Sequence, residues 1–113
     1  MRFISLCLSA ALAGVALAVP AYGATSANAL TGTDGPGFTI TMDKSTVKAG
    51  TYTITIHDRS NIHDFHLTGP GVDKKTSVPA VSTTKWTVKL KKGTYRFVCD
   101  PHKTIMHGVL TVT

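Results

Sequence analysis

From Phe38 to the end of the chain, apolar and polar residues alternate with a period of two, interrupted by clusters of Gly, Pro and Asp. Such alternation sends successive side chains to opposite faces of an extended backbone, the pattern of strands with one apolar face. Phe38, Ile40 and Met42 alternate with threonines, and Tyr52, Ile54 and Ile56 with Thr53 and Thr55. Trp86, Val88 and Leu90 are separated by Thr87 and Lys89, while Tyr95, Phe97 and Cys99 are separated by Arg96 and Val98. Leu110 and Val112 finish the chain. No segment carries a helical stripe with caps. Short strands of this kind predict an all-β domain, a two-sheet antiparallel Greek-key β-sandwich. Residues 69–83 read as a loop with at most a short strand near Val78. The segments KAGTYTITIHD and KKGTYRFVCDPH echo one another, sharing Gly-Thr-Tyr and ending on His57-Asp58 and Cys99-Asp100.

The chain before this region has a different texture. A basic Arg2, an apolar run from Phe3 to Val19 and small residues around AYGA have the layout of a secretory signal. Cleavage after Gly23 is expected, with a membrane anchor as the competing reading. Residues 24–37, ATSANALTGTDGPG, lack periodicity and read as a flexible leader. The domain expected is therefore 38–113, behind a signal peptide at 1–23, and the localisation is secreted or periplasmic.

Cysteine usage sharpens this picture. Cys7 leaves with the signal, so Cys99 is the single cysteine of the mature chain and has no disulfide partner. A small exported domain without disulfides commonly draws on a metal instead. The charge balance is basic, with 12 Lys plus Arg against 6 acidic residues, all of them Asp. A soluble surface accounts for that, as does steering toward an acidic protein. Nucleic acid is a poor partner for an exported chain whose lysines alternate along strands.

The candidate chemistry lies in the closing stretch. Cys99, His102 and Met106 fall within eight residues, and Pro101 ends regular strand pairing between the first two. Upstream, alternation through NIHDFHLT puts His63 on the apolar face with Phe65 and Leu67, and Asp64 and His66 on the other. Taken singly, each of these residues is ordinary packing material. Together they place two imidazoles, a thiolate and a thioether at one end of a sandwich. Zinc seldom takes thioether sulfur, and calcium and magnesium want oxygen. The donor set selects copper, one ion per chain.

The segment Y-R-F-V-C-D-P-H-x-x-x-M-x-G, with H-D-F upstream, resembles the cupredoxin (blue copper) family in its plastocyanin, pseudoazurin and amicyanin style. The resemblance spans nearly all of residues 38–113. It implies His63, Cys99 and His102 as strong equatorial ligands and Met106 as the axial one. It also implies a non-enzymatic role: single-electron shuttling between exported or membrane-bound redox proteins by a monomer. Extracellular copper capture or delivery, and a metal-free interaction domain, stay open beside it. The chain departs from the family pattern in three ways. Three residues separate His102 from Met106, so His107 competes as axial ligand. Asp64 stands where the family usually has Asn. No acidic or apolar docking patch is recognisable.

Overall fold

The computed structural model describes residues 14, 15 and 28–113; the expected signal peptide, apart from two residues, lies outside them. Nine strands are formed among the described residues: β1 (Asn28–Asp34), β2 (Ile40–Met42), β3 (Thr46–Val47), β4 (Gly50–Asp58), β5 (His66–Gly69), β6 (Val72–Lys75), β7 (Ser82–Leu90), β8 (Gly93–Val98) and β9 (His107–Val112). They build a four-stranded sheet in the order β2-β1-β4-β7 and a five-stranded sheet in the order β3-β9-β8-β5-β6. The expected two-sheet sandwich is present. Its sheets are mixed rather than antiparallel, because β1 runs parallel to β4 and β3 parallel to β9.

Period two places the core. Tyr52, Ile54, Ile56, Val88 and Leu90 point inward from the first sheet. Leu67, Tyr95, Phe97, Leu110 and Val112 face them from the second. Their outward neighbours on the long edge strand β7 include Lys85 and Lys89, charges that discourage pairing of that edge with another chain.

Three local expectations are corrected. Residues 28–34, assigned to the flexible leader, form strand β1 between β2 and β4. Its inward residues are Leu30, Gly32 and Asp34, a set with too little apolar surface to register as alternation. Gly32 is required there, since a Cβ would stand 2.7 Å from the Phe65 ring. In the expected loop 69–83, the strand is β6 at Val72–Lys75, not near Val78. Finally, Phe38 precedes β2 and is 56% exposed.

The echo between the two Gly-Thr-Tyr segments has a physical basis. Tyr52 donates its hydroxyl to the Lys48 carbonyl at 2.6 Å. The Tyr95 hydroxyl accepts from Lys91 N at 2.9 Å and lies 3.0 and 3.1 Å from the Pro70 and Lys91 carbonyls. Each tyrosine thus ties the start of its strand to the residue four positions earlier, and the two strands lie in different sheets. Tyr95 is fully buried, so Tyr95→Phe leaves Lys91 N and a carbonyl short of a partner. The expected loss is about 1–2 kcal/mol in chemical denaturation, with the fold unchanged.

Candidate metal centre

Two segments meet at one end of the sandwich. The first is the turn and coil between β4 and β5, which carries His63. Strict alternation does not run through it: His63, Asp64 and Phe65 are all buried, and β5 starts only at His66. The segment is held by Phe65, whose N–H donates to Thr76 Oγ1 at 2.9 Å and whose carbonyl accepts from Thr76 N at 3.1 Å. The second segment is the β8–β9 connection. Cys99 leads into a 3-10 turn over Asp100–His102 with Pro101 inside it. Cys99 N donates to the Met106 carbonyl at 3.0 Å, and Met106 N donates to the His102 carbonyl at 2.8 Å. The loop is closed on itself by its own backbone.

This arrangement gathers three donor atoms. His63 Nδ1 and His102 Nδ1 are 3.1 Å apart, and Cys99 Sγ is 3.6 Å from each. A triangle of these sides has its centre about 2 Å from every corner, the length of a bond from nitrogen or sulfur to a first-row metal ion. The residues therefore fit a single ion without rearrangement. Among the described residues this is the one cluster of three or more His, Cys or acidic side chains suited to hold a metal. Burial pushes the Cys99 thiol up, against hydrogen bonding from the backbone that works to lower it. A thiolate here calls for a cation beside it.

The surroundings orient the cluster. Phe38 stands edge-on to both imidazoles, with ring centroids 5.2 Å from His63 and 5.0 Å from His102. The sequence offered no sign of this role, because Phe38 fits the alternation of the strand that follows it. Asp64 accepts a hydrogen bond from Asp100 N at 2.6 Å, so an acceptor is what the joint between the two segments uses. Burial raises the Asp64 carboxyl above its usual range. His66 reaches Asp100 through Nδ1 at 2.9 Å and Asp73 through Nε2 at 2.6 Å. Burial opposes charge on His66, yet the bonds to the two carboxylates outweigh it and raise the pKa.

Met106 is fully buried on the same loop, whereas His107 is exposed at the start of β9. Phe38, Ile62 and Ile105 are 56%, 48% and 62% exposed. Ile62 adjoins His63, and Ile105 N donates to the His102 carbonyl at 3.0 Å. Exposed apolar side chains thus flank the imidazoles in space or in sequence, where the sequence showed no docking patch.

Residues 7–112 match the family of the Cupredoxin-like domain. The chain belongs to the cupredoxin-like family. Among solved structures, this cupredoxin is similar to crystal structures of rusticyanin variants, at 23% identity and a TM-score of 0.57, covering 75% of this chain and 76% of that one. It is similar also to reduced rusticyanin solved by NMR, at 23% identity, a TM-score of 0.55 and the same coverage. Rusticyanin from Thiobacillus ferrooxidans gives 21% identity, a TM-score of 0.54 and coverage of 75% and 76%. No curated protein matches the chain. These likenesses establish the sandwich as a cupredoxin fold, and its His63, Cys99 and His102 cluster is compatible with one copper ion.

Proposed function

We propose that this cupredoxin is an extracytoplasmic electron carrier holding one copper ion through His63, Cys99 and His102, with Met106 as a weaker fourth ligand. The observation that carries the reading is the convergence of two imidazole nitrogens and one buried sulfur at mutual distances of 3.1–3.6 Å. Bound there, copper would supply a one-electron couple. The chain's own contribution is a rigid cradle: the donors sit on segments locked by backbone bonds, so neither oxidation state has to reorganise them. The burial of Met106 and the exposure of His107 favour the thioether over the third imidazole as axial donor.

His102, half-buried under Phe38, is the electron port in this reading, and the apolar rim of Phe38, Ile62 and Ile105 makes the encounter surface. The excess of Lys and Arg over Asp, 12 against 6 in the full chain, suits an acidic exported or membrane-bound redox protein as partner. No catalytic role is assigned. The signal peptide at 1–23 would deliver the monomer to the periplasm or the medium.

The test is titration of the purified chain with Cu(II), followed by visible absorption, EPR and voltammetry. An intense red-region band at one copper per chain, with a reversible one-electron couple and copper retained on reduction, is expected. Release of Cu(I) to a competing chelator on reduction would instead mark a copper-delivery protein. In the same assay His107→Ala should leave spectrum and potential unchanged, and Met106→Leu should raise the potential. The opposite pattern would make His107 the axial ligand.

A further inference from the structure

We propose that Asp34 and Asp58 form a buried carboxyl pair that holds one exchangeable proton, and that this proton is linked to the oxidation state of the adjacent metal centre. The linkage rests on the electron-carrier reading above; the proton site does not.

The two aspartates are register partners on the parallel strands β1 and β4 and share the inward face. They are 0% and 2% exposed. Like charges side by side and out of water repel strongly, so such a pair keeps one proton. The hydrogen bonds say where it sits. Asp58 accepts from Ser60 N at 3.3 Å on one oxygen and from Thr76 Oγ1 at 3.1 Å on the other, the surroundings of a carboxylate. Both carboxyl oxygens of Asp34 are buried with no partner. An unpaired charge there would be costly, whereas the neutral acid is tolerated. Burial, followed by the effect of Asp58, pushes Asp34 from its ordinary 3.8 up to about 7.

The pair has a way out and a way in. Asp58, though buried, also borders a surface groove with His57, Arg59, Ser82 and Thr83, which brings the pair to the edge of solvent. The Arg59 cation in that groove disfavours a second metal ion while leaving proton exchange free. Inward, Asp34 runs into Gly35, where a Cβ would stand 3.2 Å from His63 Cδ2. Asp58 reaches the same ligand segment through Thr76 Oγ1, which accepts from Phe65 N. Titratable or charged groups beside the pair include His57 and Arg59, which line the groove with Asp58, Asp64, whose charge acts on Asp34, and His63 next to Gly35. The facing residues Ile40, Thr76 and Ser82, from β2, the β6–β7 connection and β7, carry no titratable group.

Charge accounting then links the sites. One electron from a reduced donor protein lowers the charge of the centre by one unit, which raises proton affinity nearby. A proton from bulk water passes through the groove and forms an O–H bond on Asp34. Reoxidation by an acceptor protein returns the electron, and the proton goes back to water. Where the proton is present in both states the potential is flat. As pH rises into the range where only the reduced form holds it the potential falls, and it levels off once the carboxylate is charged in both states.

The experiment uses the full copper-loaded chain and Asp34→Asn, a neutral isostere. Infrared spectra, thermal unfolding and voltammetry are followed from about pH 5 to about pH 9. The wild type should show a protonated-carboxyl C=O band at acid pH that fades through neutrality and is absent from the variant. Its potential should fall over the same range while that of the variant stays level. A missing band, or superimposable unfolding profiles, would overturn the pair. A band without a potential slope would overturn the linkage. If copper gives no thiolate band, the electron-carrier reading has failed, and infrared and unfolding data still decide the proton site. Should Asp34→Asn not fold, Asp58→Asn serves: removing the neighbouring charge should move the fading of the band to lower pH, and an unmoved band would overturn the pair.

Discussion

Cys99→Ala should abolish the intense visible band expected of the copper-loaded chain and remove most of the stabilisation that copper brings. A ligand bound only by the folded state, at about 1,000 times its dissociation constant, contributes about 4 kcal/mol. On the proposed ligand set, what is left without the thiolate should bind copper far more weakly, so nearly all of that should be lost. The metal-free chain should hardly notice. Alanine deletes one sulfur from a site whose other two corners are ring nitrogens, and the cost expected is about 1 kcal/mol or less. Thermal unfolding of wild type and variant, each with and without copper, separates the two effects. A variant still stabilised as strongly as the wild type would place the metal elsewhere.

The largest effect on the metal-free fold is expected at Gly108. A Cβ there would collide with the Phe97 ring lying over it on the neighbouring strand. That ring cannot retreat, because it is stacked on Phe65 at 5.5 Å with an interplanar angle of 11°. Phe65 in turn meets Trp86 edge-on at 6.4 Å. Gly108→Ala should therefore cost about 3 kcal/mol. Because Phe97 lies two residues before Cys99, copper affinity should fall as well. The control is Gly37→Ala, where nothing stands within 4 Å of a new Cβ. Its midpoint in denaturant should stay within about 0.5 kcal/mol of the wild type.

The chain states its architecture through the strands whose inward residues are large. Tyr52-Ile54-Ile56 and Tyr95-Phe97-Cys99 read as apolar faces and prove to be them. Strand β1 escapes because its inward positions are filled by a glycine under an aromatic ring and by an acid, residues that periodicity counts as polar. Its parallel pairing with β4 is a long-range event with no local turn to announce it. At the metal centre, Cys99 and His102 announce themselves by their three-residue spacing. His63 is legible only once a sandwich end is assumed, and Phe38 not at all, since its role comes from a loop that folds back over the imidazoles. The joint between Asp64 and Asp100 shows why residue type alone misleads: what matters there is an acceptor oxygen, which Asp and Asn both possess.

The sequence distance between donors also bears on the order in which the centre comes together. Cys99, His102 and Met106 belong to one hairpin, β8–β9, and a short connection closes with little entropy and within microseconds. His63 lies 36 residues upstream of Cys99, and β1 must thread between β2 and β4 before the first sheet is complete. Long-range pairings of that kind form slowly. On the proposed ligand set, a chain meeting copper before it has folded would hold the ion by the hairpin alone and recruit His63 last. Any such early grip is affinity for the unfolded chain, so it subtracts from the thermodynamic stabilisation of the native state while giving the hairpin a head start.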